Sequence, residues 1–369
     1  KDRRIAGLQL HTNFRLSNSG EYLALTDPTG WISTEFNPGY PVQQEDKSYG
    51  FHAGSYIIFS NPTPGEANYP DPESLLQPPE FSRKHGLIYE SFPLIITSVD
   101  KSAEIKYTLD GSTPGISAGT GYTGPLAINR TTVVRAVLVK GGKVISRIAT
   151  STYIFPDDVI LQNNTPPGYP AQWGPYTGIK GTATADYEMD QELLSDPLFA
   201  AAVKSSLPGL PTISIVTDPG NLFSKSQHAD SGGIYIYTGP PLTNTTSGLG
   251  FGWERPASVE YIDPGENVSF QVDCGLRIHG GHGRRAEKSP KHSFRLAFRG
   301  QYGPTKLNFP LFGHDADSSF DNLVLRAGFG NTWIHWSHSE RAMAQYLRDR
   351  WTKDTQMAMG HYASHGVYV

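Results

Sequence analysis

The sequence predicts a multidomain chain in which two all-β sandwiches precede an α+β region. Three observations lead there. The chain has 369 residues, where one domain takes about 100–200. Its 39 glycines and 28 prolines make up about 18% of it, above the average of about 12% but below the ~25–30% of low-complexity chains, so it folds with many turns. Up to about residue 155 the chain is built of short β-branched and aromatic runs bounded by Gly, Pro and Asp, and helical spacing first enters after that point.

Composition narrows the function classes. Apolar residues at 37% plus glycine fall in the globular range, and charged residues at 18% fall below the usual ~25%, which excludes collagen, coiled coil and acidic tail. A net charge of −4 supplies no global basic field, so nucleic acid is not an expected partner. The single cysteine, Cys274, cannot form an intrachain bridge, and stability must come from core burial. No apolar run reaches the ~18–20 residues of a transmembrane segment, and Lys1-Asp2-Arg3-Arg4 leads into no apolar signal region. Sequons at Asn129, Asn163, Asn244 and Asn267 would matter only in a eukaryotic secretory pathway.

Residues 1–70 read as short strands between turns, 21–25 running into Asp27-Pro28-Thr29-Gly30 and 55–59 into Asn61-Pro62-Thr63-Pro64-Gly65. These strands are too few to close an immunoglobulin-like sandwich of about seven, so the start of this domain is expected upstream. Segments 14–25, 27–30 and 63–68 resemble the C-terminal half of a lamin-tail-like domain. A Pro-rich joint, 69–79, leads to a second sandwich at 80–155, with strand-like runs at 94–96, 105–109, 132–139 and 150–155. Asp110-Gly111 is a hairpin signal, because a tight primed turn needs positive φ. Residues 105–114, Tyr122-Thr123-Gly124-Pro125 and Arg135-Ala136 resemble the chitobiase/β-hexosaminidase C-terminal module, which is appended to many secreted bacterial proteins.

A second Pro/Gly/Asn-rich joint at 156–182 carries Trp173 and Tyr176, and the α+β region follows at 183–369. Its elements are a helix over 190–205 with Leu193, Leu194, Phe199, Ala202 and Val203 on one side, strands at 212–216, 233–237, 258–262, 293–298 and 322–326, and a helix over 337–353.

Chemistry concentrates in a strand, a glycine-rich basic turn and a returning strand. Gly280, Gly281 and Gly283 expose backbone N–H groups, Arg284 adds charge, and the returning strand brings Lys291 alongside, a grouping able to hold nucleotide phosphates. The spacing matches neither the P-loop nor the dinucleotide fingerprint, and on pattern alone a plain hairpin turn with solvated arginines is the expected reading. The HxxH pairs His279/His282 and His335/His338, and the HxxxH pair His361/His365, bring no HExxH, so no metal site is assigned. Asp315, Asp317, Ser319 and Asp321 space like calcium ligands, but Phe320 stands where an EF-hand needs Gly, so an ordinary acidic turn is expected. Trp31, Trp173, Trp253, Trp333, Trp336 and Trp351 are expected in cores, with carbohydrate stacking as the alternative. No G-x-S-x-G elbow is present and no glycosidase carboxylate pair can be picked out.

Several separate pieces resemble the CotH kinase family, secreted or spore-coat proteins with a divergent protein-kinase-like fold. They are segments 253–260, the 277–295 hairpin, 307–312, 323–328 and Arg348-Asp349-Arg350-Trp351. The resemblance implies that 183–369 is the N-terminal part of a partial protein-kinase-like domain. It also implies that ATP and Mg²⁺ are the cofactors, that Gly280, Gly281, Gly283 and Arg284 cover the nucleotide, that Lys291 holds its phosphates, and that Glu340 is the helix partner of that lysine. The carboxylates that orient the acceptor and hold Mg²⁺ lie, in the family, beyond Val369. The chain as given is therefore expected to be inactive, with no catalytic residue of its own and both ends truncated. The resemblance places the protein outside the cell or on its surface, acting on surface or matrix proteins. The rival expectation is a non-catalytic structural or adhesive protein that self-associates into a filament or matrix.

Overall fold

The computed structural model describes residues 15–43, 47–52, 55–59, 77–173, 183–224, 226, 231–234, 254–265, 268–280, 291–313, 316–328, 330–333, 335 and 337–369. The chain divides into two compact units, Lys1–Leu75 and Leu76–Val369. It is a multidomain, β-rich protein with a few helices.

The first unit holds two antiparallel pairs, β1 (Leu23–Thr26) with β2 (Ile32–Phe36) and β3 (Ser48–His52) with β4 (Ser55–Phe59). The Asp27 carboxylate folds the first turn by accepting from Thr29 N at 2.8 Å and Trp31 N at 3.0 Å. Phe36 meets Tyr56 edge-on at 5.0 Å, and Tyr49 stacks on Tyr56 at 5.6 Å. Trp31 is 76% exposed at the hairpin end, which corrects the expectation that it packs in a core: a turn tip leaves its ring nothing to pack on.

The second unit begins with a small sandwich. Its strands are β5 (Glu80–Phe81), β6 (Gly86–Leu87), β7 (Phe92–Leu94), β8 (Ile96–Thr97), β9 (Glu104–Thr108), β10 (Thr120–Gly121), β11 (Leu126–Ile128), β12 (Thr132–Lys140), β13 (Lys143–Val144) and β14 (Ala149–Ile154). The main sheet runs β10-β9-β12-β14-β6, with β13 on β12, and the pairs β11-β7 and β5-β8 face it. Leu94, Ile96 and Ile128 from the small pairs meet Val134, Ala136 and Tyr153 from the main sheet in one core. The run 94–96 is thus divided between two pairs, with Ile95 at the bend turned outward. Asp110-Gly111 makes an Asx turn, in which Asp110 accepts from Ser112 N at 3.0 Å, and not a tight hairpin; the chain returns to β9 only at β10. Tyr153 donates its hydroxyl to the Arg83 carbonyl at 2.7 Å inside this core. Tyr153→Phe is expected to cost about 1 kcal/mol in denaturant unfolding, since the carbonyl loses its partner while the ring keeps its packing.

After α1 (Pro156–Ile160) and the pair β15 (Gln172–Trp173) and β16 (Ala183–Thr184) come α2 (Gln191–Ser195) and α3 (Pro197–Ser206). The helical run 190–205 carries Asp196-Pro197 as an internal start signal, and it is two helices: Asp196 accepts from Leu198 N at 2.8 Å, as Asp190 does from Glu192 N at 2.8 Å. Neither helix buries a residue, and Phe199 of the expected apolar stripe is 56% exposed.

β17 (Thr212–Val216), α4 (Pro219–Phe223), β18 (Arg255–Asp263), β19 (Val268–His279), β20 (Ser293–Ala297), β21 (Leu307–Asn308), β22 (Ser319–Phe320), β23 (Asn322–Leu325), α5 (His338–Ala342) and α6 (Arg348–Ala358) complete the chain. Five of these strands form an antiparallel sheet in the order β17-β18-β19-β20-β23. Gly233 and Ile234 lie in a turn bonded to Ser224 and Asn221 and not in the expected strand, whose remaining residues fall outside those described. Ser319 sits in β22 and bonds Asn308 Oδ1 at 2.7 Å, so the segment beginning at Asp317 leads into a strand pair. The helix expected over 337–353 is broken into α5 and α6. Between them Tyr346 takes a left-handed φ of 57°, and the Gln345 N–H turns aside to Asn331 Oδ1 at 3.0 Å.

Candidate functional site

The five-stranded sheet has two unlike faces, because alternate residues of a strand point to opposite sides. One face carries Val259, Tyr261, Val272, Cys274, Leu276 and Leu296 into an apolar core completed by Leu307 and Leu311. Burial pushes the Cys274 thiol well above its usual range, which leaves it an inert core residue. Register places Ser214 beside Glu260, Glu260 beside Gln271, Gly275 beside Ala297 and Arg277 beside Arg295 on the other face, which carries these polar groups together with Val216, Ile262 and Val324.

At the β19–β20 end of that face, Glu254 is buried between two guanidinium groups. Arg299 Nε lies 2.9 Å from one carboxylate oxygen and Arg277 Nη1 3.8 Å from the other. Burial raises the Glu254 pKa, against the pull of Arg299 and Arg277. Burial also raises that of the neighbouring Tyr302 hydroxyl, and the charge of Glu254 adds to this. Gly275 makes the cluster possible: a Cβ there would stand 2.6 Å from Tyr302 Cε2 and 2.7 Å from Glu254 Cδ. Arg295 faces solvent and donates from Nε to Asn322 Oδ1 at 3.1 Å. Arg277 and Arg299 therefore flank one carboxylate, and the Arg277 guanidinium is pushed down by burial first, against the pull of Glu254, and then by Arg295 and Arg299.

The residues expected to bind nucleotide lie at the end of the same two strands. Gly280 leaves β19 exposed, with φ +96° and open space where a Cβ would be, a backbone that favours glycine. Lys291 precedes β20 and is exposed, and Glu340 is exposed in α5. The fold thus brings Gly280 and Lys291 to the two mouths of one connection, and Glu340 arrives from a separate element. Gly281, Gly283 and Arg284 lie outside the described residues. Among the described residues no group of three His, Cys, Asp or Glu could hold a metal ion. Glu254, Arg277, Arg295, Arg299 and Tyr302 were not singled out by residue pattern. The available signal was the alternation in β19, where Ser269, Gln271, Asp273, Gly275, Arg277 and His279 alternate with apolar residues.

The sandwich preceding this sheet has a pattern that similarity assigns. Residues 94–153 match the family described as Fn3 associated. No curated protein and no solved structure matches the chain. The Fn3-associated module covers the other half of the polar face. Glu260, with no exposed surface, accepts from His85 Nδ1 at 3.0 Å, from Thr152 N at 3.1 Å and from the Thr152 hydroxyl, which also meets Ser214 Oγ at 2.8 Å. A buried carboxylate is tolerated when it is hydrogen-bonded, and here two of the three donors come from Thr152 of the Fn3-associated module and the third from His85, just before it. Beside it, Arg135 of the module donates to Thr113 Oγ1 at 2.9 Å, and Thr113 donates to both oxygens of Asp218, at 2.8 and 2.5 Å. β12 is consequently buried on both sides, with core residues on one and Arg135 on the other. Below the seam Gln271 donates to Ser258 Oγ at 2.7 Å and to Asp273 Oδ1 at 3.0 Å, and burial raises the Asp273 pKa against the charge of Arg135 and Arg147.

Proposed function

We propose that this chain belongs to an extracellular, multidomain surface protein of the CotH kinase-like family, with a chitobiase-like Fn3-associated module, whose kinase-like region binds ATP through the connection between β19 and β20. The observation that carries the reading is the antiparallel sheet that delivers Gly280 and Lys291 to the two ends of one connection, whose sequence is rich in glycine. The open space and positive φ at Gly280 suit a backbone that approaches phosphates, and Lys291 and Arg284 supply the charge. Glu340 is the proposed positioning partner of Lys291. With Mg²⁺, ATP would supply the phosphoryl group for transfer to a surface or matrix protein. No residue of the chain is assigned to hold the metal or orient the acceptor, so the activity of this chain alone is nucleotide binding. Titration of Mg·ATP is expected to saturate, and Lys291→Ala to weaken it about tenfold or more, about 1.4 kcal/mol. Absence of saturable binding by the unaltered protein overturns the reading.

A second reading is a non-catalytic structural or adhesive protein. It is supported by the buried seam that fixes the Fn3-associated module to the sheet, and by Trp31 and Trp351, both at least 70% exposed and free to contact self, protein or carbohydrate. Under this reading neither Mg·ATP nor Lys291→Ala has an effect.

A further inference from the structure

Two arginines directly opposite each other on adjacent antiparallel strands repel, and such a pair weakens the sheet unless a counter-charge sits between them. Arg277 and Arg295 are in that register. The carboxylate beside them, Glu254, is shared between Arg277 and Arg299, and it is closer to Arg299, 2.9 Å against 3.8 Å. Among the described residues Arg295 donates to the neutral amide of Asn322. Among the described contacts Glu254 is the carboxylate that Arg277 and Arg299 share, and Arg295, opposite Arg277, is exposed. The Glu254–Arg299 pair, wedged in by Gly275, holds this end of the face rigid. Lys291 continues the same line: it stands two residues before Ser293 and four before Arg295, the alternation that places strand residues on one face.

We infer that Arg277 and Arg295 form a phosphate subsite on the polar face of the sheet, and that its ligand is the phosphate chain of a nucleoside di- or triphosphate entering from the glycine turn. Guanidinium forks bind phosphate oxygens with paired hydrogen bonds, and a doubly charged anion relieves the repulsion between the two strands. The inference rests on the nucleotide reading above for the direction of entry, but the arginine pair makes a claim of its own: the site recognises the phosphate chain and not the base.

Pyrophosphate tests it, titrated calorimetrically into the whole protein at low ionic strength, where exposed charges are least screened. The unaltered protein is expected to bind pyrophosphate. Arg295→Gln is the leading variant, because its exposed side chain can be lost without unpairing Glu254, and it is expected to weaken pyrophosphate about tenfold or more. Arg295→Lys should recover part of that loss, while Lys143→Gln, on the far module, should change nothing. Equal pyrophosphate binding by the unaltered and Arg295→Gln proteins overturns the subsite, as does no pyrophosphate binding at all. In either case a Lys291-dependent Mg·ATP isotherm leaves the nucleotide reading standing. Conversely, Arg295-dependent pyrophosphate binding without saturable Mg·ATP binding supports an anion subsite and overturns the nucleotide as its ligand.

Discussion

Glu260→Ala is expected to lower the stability of the second unit by about 3–5 kcal/mol, because three buried donors lose their acceptor at about 1–3 kcal/mol each, partly relieved by relaxation. The carboxylate has no exposed surface, and its removal strands the Thr152 N–H, the Thr152 hydroxyl and His85 Nδ1 away from water. Glu260→Gln should cost far less, because the amide keeps an acceptor for Thr152 N and His85, and the Thr152 hydroxyl can reverse to accept. The two substitutions also differ in cooperativity. With the joint broken, denaturant unfolding of Glu260→Ala should separate into two transitions, the Fn3-associated module melting apart from the five-stranded sheet, and its apparent m-value should fall. A single unshifted transition in Glu260→Ala would mean that the buried carboxylate does not join the two.

Gly275→Ala carries the second large effect, about 3 kcal/mol, at the upper end of what overpacking costs. The added carbon meets Tyr302 at 2.6 Å and Glu254 at 2.7 Å, and neither can retreat while Glu254 remains between Arg299 and Arg277. A double-mutant cycle separates this from ordinary strand preference. If Gly275 exists to admit Glu254, then Gly275→Ala combined with Glu254→Ala should cost less than the sum of the two, a coupling readable by thermal unfolding. Strict additivity would assign the loss to the strand alone.

Much of the fold is legible in the residues, and the parts that are not have identifiable reasons. The runs at 212–216 and 55–59 coincide with β17 and β4, because each is a short β-branched stretch with turn residues close by. Residues 94–96 read as one strand but serve two, since composition cannot show that the chain bends at Ile95 to join a second pair. Helical spacing at 337–353 fails at Tyr346, where contacts from Asn331 and Trp333, distant in sequence, outweigh local preference. The clustering of glycines and a lysine within a dozen residues marks the connection between β19 and β20, whose residues 281–290 lie outside the described ones. Glu260 and His85 were not, because a lone Glu in a strand and a lone His in a loop acquire their meaning only when two sandwiched sheets meet, 175 positions apart in the numbering. Arg277 and Arg295 needed the register, which depends on a connection whose length alone does not fix it.

The seam on Glu260 bears on how such chains can be recombined. Sequence similarity treats residues 94–153 as a cassette, complete in itself and ready to be spliced between unrelated neighbours. Thr152 and Arg135 belong to that cassette, but His85 precedes it and Glu260, Ser214 and Asp218 follow it. A transplant cut at the similarity boundary would carry a buried arginine and an inward threonine to a host without their counterparts. The heritable piece is therefore larger than the recognisable one, running from His85 through the second strand of the following sheet, and a chimera drawn to those limits should fold where the shorter graft would not.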